Sequence, residues 1–555
     1  MTPTTTESTS HDPAPRVPST LIRGWLILAG SVAPSLAAIW TASWFITQDG
    51  PAHAYNARIL AWSFTDHSPY AGIFEVHWDP IPNWTGHLAL AGLISVLPAW
   101  VADRIMTSVT FVGFAASVFW LRTRVAGSNG LGLAAITSTL IALNFSWFLG
   151  FTSFMLGACL FPITLGVWWS GRERLSSGRL LALAVLLSVG YFCHLVSLGL
   201  TVIGLVVLAW FAPFEGDQAG IGARIGRLAR TSLALAPLTV LGVYYVRLSR
   251  AGGAMRPEWE HLQPPWSPAA WVAQLSSVDP ISLAIKDGLP LTDQVAKVYS
   301  LLAPVVWFSV ALMLWWFHRI TQTGPRAQDR AGWLMLATLL IAGGMLAPDS
   351  LGAAHGQFLP QRVLLLGLAA LVPALDVDPR RWSGRLAITA MAGALAIQSV
   401  VIWDYARYCD QTAGPIIAAG ERLGQGQRLA TVLASSRGRF RSNPLLHAEC
   451  WLGVDRVNVV WNNYETVYYY FPVQFCTGMD RPTPSDLEKV SILEGAENAA
   501  ERRRRWQSML EHHADVIDVV LSWKKDPVLD DVTERSYRLE EDRGDVRIFR
   551  RRAAP

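Results

Sequence analysis

The sequence predicts a polytopic α-helical membrane protein of about 11 to 13 transmembrane helices, ending in a small α/β extracytoplasmic domain. Three features carry this. Of 555 residues, 51% are hydrophobic and only 16% are charged, where a soluble domain carries roughly a quarter. The shortage of charge lies almost wholly before residue 405, where apolar runs of spanning length succeed one another. Beyond it, charge returns in runs such as Glu501-Arg502-Arg503-Arg504-Arg505, and short β-like segments replace the long apolar ones.

Taken in order, residues 1–20 are rich in Thr, Ser and Pro and read as a disordered cytoplasmic start. Arg16 and Arg23 precede or open the first apolar run, 21–46, which lacks a small-x-small cleavage site and is kept as a spanning helix. Apolar segments follow at 84–121, 131–149, 152–169, 179–196, 197–213, 228–247, 298–318, 331–347, 358–376 and 385–403. The 84–121 stretch could hold two short spans broken between Pro98 and Arg104, or a surface helix and one span. One crossing puts Arg122/Arg124, Arg172/Arg174, Arg224/Arg227/Arg230, Arg319/Arg326/Arg330 and Arg380/Arg381/Arg385 on the side of the N-terminus. The positive-inside rule then makes that side cytoplasmic. The membrane part is thus 21–405, in a bacterial inner membrane, with the N-terminus cytoplasmic and the tail periplasmic.

This topology sends five stretches outwards: 47–83, 144–151, the neighbourhood of His194, the loop 248–297 and 347–357. The 248–297 loop is rich in Trp and Pro and suits an amphipathic lid at the interface. The tail, 411–555, shows β-like runs at 428–433, 457–461, 516–523, 537–540 and 546–550, with a charged helical stretch near 494–512. It contains no GxGxxG, Walker or GxSxG motif. The net charge of +4 and the lack of a basic stripe with interleaved aromatics exclude nucleic acid as a partner. Of the five cysteines, Cys450 and Cys476 could form a disulfide in an extracytoplasmic tail.

The polar chemistry concentrates just after the first span. Asp49 opens Asp49-Gly50-Pro51-Ala52-His53, and four of the twelve histidines (His53, His67, His77, His87) fall within 35 residues; even scatter would put about one there. A carboxylate at a membrane surface can act as a general base towards an attacking hydroxyl or amine, or simply form a turn with Gly-Pro. With Pro51 at the start of a helix, His53, Asn56 and Leu60 share a face and Asp49 sits at its positively polarised end. In an extended run Glu75, His77 and Asp79 point the same way and could hold a divalent cation. Asn83 and His87 begin the next segment. His194 is expected within an apolar helix near the outer face. His355, Gln357, Gln361 and Arg362 cluster at the outward start of a late helix, where the planar Arg362 fork suits a lipid phosphate.

In these features the chain resembles the GT-C superfamily of integral membrane glycosyltransferases, and is distantly similar to protein O-mannosyltransferases and aminoarabinose transferases. The likeness rests on the cytoplasmic first helix, the large first outer loop with an acidic residue just past it, the number of spans and the outer soluble tail. It implies a catalytic base or metal-linked carboxylate at Asp49. Many members carry two adjacent acidic residues where this chain has Asp49-Gly50. The resulting expectation is transfer of a sugar from a polyprenyl-phosphate-linked donor to an envelope glycan, lipid or protein acceptor, within the lipid bilayer's outer face. Asp49 would activate the acceptor, while His53, Glu75, His77, Asp79, Asn83, His87, His194, His355 and Arg362 would bind substrate. Two other readings are a transporter or flippase, which needs polar groups at breaks in mid-membrane helices, and a scaffold acting through the tail.

Overall fold

The computed structural model describes residues 19–65, 67–128, 130–214, 220–250, 325–352, 356–375, 380–435, 438, 440, 442–493 and 496–552. The 298–318 segment, almost all of the 248–297 loop and His355 lie outside them, as do all but the last two residues of the N-terminal stretch. Among the described residues four helices are long and apolar enough to cross a membrane: Ser19–Thr41, Ala99–Ala126, Thr152–Trp169 and Trp382–Leu423. Ile221–Leu233 and Ala236–Ser249 make a fifth if the pair, bent by 62°, is one span. Shorter apolar helices are Trp84–Ile94, Leu131–Ala142, Ser177–Cys193, Leu195–Phe211, Arg330–Leu346 and Leu359–Ala374. The chain is a multi-pass membrane protein.

The helix breaks have local causes. The 84–121 stretch divides at Pro98 into an 11-residue helix and a 28-residue one. The first rises only about 16 Å, half of what the hydrocarbon core requires, so this stretch has length for one crossing. Asn144 ends Leu131–Ala142: its side chain donates to the carbonyls of Ile141 and Ala142 and accepts from Trp147 N, starting the single turn Phe145–Phe148. His194 is not inside a helix as the apolar pattern suggests. It is the extended residue that ends Ser177–Cys193 and begins Leu195–Phe211. Pro237 lies in the first turn of the second half of the bent pair, which starts at Ala236, and the break itself holds only Ala234 and Leu235.

Trp382–Leu423 has 42 residues, about 63 Å of helix. It runs on past residue 411 and ends at Gly424, in a positive-φ conformation. The α/β part follows at once. Its five strands lie in the order Val459–Val460, Arg428–Leu433, Val519–Trp523, Val546–Arg551, Tyr537–Arg543. The first three are mutually parallel and the last two close an antiparallel hairpin. The central strand, Val519–Trp523, is buried along its length, as expected of an apolar run covered on both faces. Helices Pro484–Ile492, Ala499–His513 and Pro527–Ser536 complete the part.

The two parts interlock through the segment that follows the first helix. Phe74–Val76 pairs antiparallel with Val473–Phe475, and Phe74 stacks on Phe475. Tyr55 Oη, fully buried, donates to Asn458 O at 2.8 Å, and Tyr70 Oη donates to Gly453 O at 2.8 Å. All five cysteines are free thiols, Cys450 and Cys476 included.

Candidate active site

The segment leaving the first helix is pinned residue by residue. Arg104 Nη2 donates to the carbonyls of Ala42 and Ser43 at 2.6 and 2.8 Å, capping the first helix with a cation. Asp410 accepts from Trp44 N at 2.6 Å, and Tyr405 Oη donates to Ile46 O at 2.8 Å. The backbone then pairs with the 144–151 turn: Gln48 N donates to Phe148 O and Asp49 N to Leu149 O, at 3.1 and 2.9 Å. Gly150 makes this approach possible. Its φ is +83°, and a Cβ there would lie 2.7 Å from Thr47 Oγ1 and 3.0–3.1 Å from the backbone nitrogens of Gly50 and Asp49.

Asp49 immediately precedes helix Gly50–Ser63 without a capping hydrogen bond from its side chain, and Pro51 lies in the first turn as the sequence pattern predicts. Its side chain is buried, accepts hydrogen bonds from Tyr464 and Gln48, and lies 3.9 Å from His447 Nε2. Burial pushes its carboxyl up to about 7, against the opposing pull of His53 and the Tyr464 hydroxyl. Burial likewise pushes His447 down to about 4, so this ring is neutral at pH 7. A second carboxylate, Asp103, is buried with an oxygen 3.5 Å from where a Cβ on Gly50 would stand.

One turn further, His53 and Asn56 share the face that the helix start predicts, and both meet Glu465, which is fully buried. His53 Nδ1 pairs with Glu465 Oε1, His87 Nε2 lies 2.8 Å from Oε2, and Asn56 Nδ2 donates to Oε2 at 2.5 Å. Asn56 and Asn463 exchange reciprocal hydrogen bonds. Burial would raise the Glu465 carboxyl, but the two imidazoles outweigh it and hold the group well below the usual range. Among the described residues, His53, His87 and Glu465 form the group whose ligand-type atoms all lie within 4.8 Å of one another.

A cavity of about 510 Å³ opens beside this cluster, a size that suits a small-molecule group. Asp49, His53, Asn83, His194 and Arg362 line it, with Tyr464, Tyr470, His447 and Glu488 from the α/β part. Arg362 is buried, donates from Nη1 to His194 Nε2 at 2.9 Å, and lies over the ring of Phe151 at 4.5 Å. Among the described residues its Nε has no hydrogen-bond partner. Asn83 begins helix Trp84–Ile94 in a left-handed conformation and accepts from His87 Nδ1 on its carbonyl.

The other expected residues lie elsewhere. Glu75 and His77 are partly exposed, pair with each other at 3.2 Å, and are absent from the cavity wall. Asp79 accepts from Tyr244 Oη at 2.5 Å. The common face of Glu75, His77 and Asp79 is lost because the strand stops at Val76 and the chain turns through Pro80 and Pro82. These three therefore do not gather as a cation site. Sequence reasoning missed Tyr464, Glu465, His447 and Asp103. The dense aromatic run from Tyr464 to Phe471 in an otherwise polar tail was the available signal for the first two.

No protein-family model matches the chain, and no curated protein matches it. Among solved structures it is similar to the crystal structure of ArnT from Cupriavidus metallidurans bound to undecaprenyl phosphate, at 11% identity and a TM-score of 0.50, covering 95% of this chain and 98% of that one. It is also similar to the arabinofuranosyltransferase AftD from Mycobacteria, at 15% identity and a TM-score of 0.47, over 96% of this chain and 40% of AftD. At such identities the first likeness bears on the fold alone: this chain has the fold of ArnT over nearly the whole length of both.

Proposed function

We propose that this protein transfers a sugar from a polyprenyl-phosphate-linked donor to an envelope acceptor at the outer face of the inner membrane. The observation that carries the reading is the meeting of a buried carboxylate, Asp49, and a buried guanidinium, Arg362, in the wall of one cavity. Two charges of opposite sign held out of water suit a reaction in which one group gains a proton and another gains negative charge. The acceptor oxygen bonds to the anomeric carbon as the bond from that carbon to the phosphate oxygen breaks. Asp49 takes the acceptor's proton, and Tyr464 and Gln48 orient it through hydrogen bonds. The phosphate leaves with the lipid and needs no proton; Arg362, turned by His194 and packed on Phe151, neutralises its charge.

ArnT holds undecaprenyl phosphate in its crystal structure, and a polyprenyl phosphate is the lipid matching the charge of this cavity. The transporter reading draws no support from the bent helix pair, whose break holds only Ala234 and Leu235. A deletion strain complemented with wild type or with Asp49→Asn tests the proposal, read by its lipid-linked sugar pool and envelope glycans. Loss of the glycan with a swollen donor pool is expected from Asp49→Asn. Full rescue would refute the role of Asp49.

A further inference from the structure

We propose that His53, His87 and Glu465 form a binding site for one divalent transition-metal cation, Zn2+ first, which fastens the α/β part to the first outer loop.

One nitrogen of each imidazole faces away from Glu465. His53 Nε2 lies 2.9 Å from Gly150 O, and His87 Nδ1 lies 3.1 Å from Asn83 O. A carbonyl only accepts, so both of these nitrogens carry the hydrogen. The inward nitrogens, His53 Nδ1 and His87 Nε2, therefore direct lone pairs at carboxylate oxygens when the rings are neutral. Lone pair against lone pair is repulsive in a site closed to water. Positive charge must offset them: a second proton on each ring, or one divalent cation touching all three donor atoms, for which the 2.8 Å separation of His87 Nε2 and Glu465 Oε2 must widen. Both arrangements leave the same net charge in the cluster, and the cation leaves each imidazole in its ordinary neutral form.

The chemistry of the donors fits the cation. Two imidazoles and one carboxylate are a known three-ligand set for zinc with a further position open to water or substrate, and nitrogen donors favour late first-row metals over Mg2+ and Ca2+. The outer shell is built as metal sites require. Each histidine has its far N–H on a backbone carbonyl, and Asn56 donates to Glu465 Oε2 while Asn463 holds Asn56. Of the three ligands only His53 reaches the cavity wall. The ring of Phe471 packs beside both histidines, 6.3 and 5.5 Å from them between centroids.

The consequence is positional. Glu465 follows Tyr464, whose hydroxyl donates to Asp49. The cation would tie this α/β segment to helices Gly50–Ser63 and Trp84–Ile94, and so hold Tyr464 over the carboxylate. The inference stands on the cluster alone and is tested without any sugar or lipid substrate, so its failure would leave the transfer reading intact.

The experiment uses the full chain in detergent without a polyhistidine tag, stripped by chelator and titrated with Zn2+ and Co2+. One equivalent of Zn2+ per chain should survive desalting, and Co2+ should give the intense visible bands of a four-coordinate site. His87→Ala and Glu465→Gln should weaken binding at least 100-fold. Asn56→Ala, which keeps every ligand, should weaken it by about tenfold. Retention of Zn2+ no better than that of a Glu465→Gln/His87→Ala double variant would overturn the proposal. If those variants do not fold, the Co2+ spectrum of the wild type decides alone: a pale, six-coordinate spectrum would overturn it equally.

Discussion

Replacing Gly150 by alanine probes how the 144–151 turn places Asp49. Its φ of +83° costs an alanine about 1–2 kcal/mol, of which a few tenths to 1 kcal/mol is recovered because the unfolded chain is stiffened. The contacts matter more. The new Cβ would sit 3.0 and 3.1 Å from the backbone nitrogens of Gly50 and Asp49, where ordinary contact starts at 3.4 Å. Backbone atoms cannot rotate aside as a side chain does, so Asp49 must retreat by about 0.3–0.4 Å. A displacement of 1 Å costs about 100-fold in rate, so a few-fold to tenfold loss in kcat is expected, with KM for the lipid donor little changed. Gly72 supplies the control: its φ is +77° and nothing lies within 4 Å of an added Cβ. Gly72→Ala should share the stability loss and keep the rate. The assay is donor consumption by membranes carrying each variant, alongside their melting temperatures. Equal rates in Gly150→Ala and Gly72→Ala would refute the view that this turn positions Asp49.

Other outcomes follow from single contacts. Arg362→Lys keeps the charge but removes the planar fork, and should raise KM for a polyprenyl-phosphate donor about tenfold while lowering kcat less; an unchanged KM would remove Arg362 from phosphate binding. Tyr55→Phe strands Asn458 O and Val460 N, and a loss of about 1–3 kcal/mol should appear as a lower melting temperature. Burial pushes the Glu449 carboxyl from 4.5 up to about 8, with Glu488 adding to the shift. Between those values the folded chain binds more protons than the unfolded one, so stability falls as pH rises through the window. The total is at most about 5 kcal/mol. Glu449→Gln should flatten this slope between pH 5 and 8, and a slope equal to wild type would show that Glu449 does not cause it.

The legible parts of the chain were those governed by neighbours in sequence. Strand Arg428–Leu433 appears where the short β-like run sets it, and the helix begun by Pro51 puts His53 and Asn56 on one face. What that face meets was not legible, because Glu465 lies some 400 residues away and reaches it through the fold. Local reasoning misled where a short element ended early. Glu75, His77 and Asp79 share a face only if the strand continues, and it stops at Val76. His194 read as helical because hydropathy averages over a window, whereas a single extended residue is enough to divide two helices. Asp103 escaped notice inside an apolar stretch, although the chain folds it back against Gly50.

The pairing of Asp49 with Arg362 around a lipid-linked sugar is tested most directly by a cryo-EM structure of the full chain with a non-hydrolysable polyprenyl-phosphate sugar bound. The phosphate is expected within hydrogen-bond distance of the Arg362 guanidinium, with the anomeric carbon facing the space beside Asp49. A headgroup bound away from both residues, with the cavity between them empty, would contradict it.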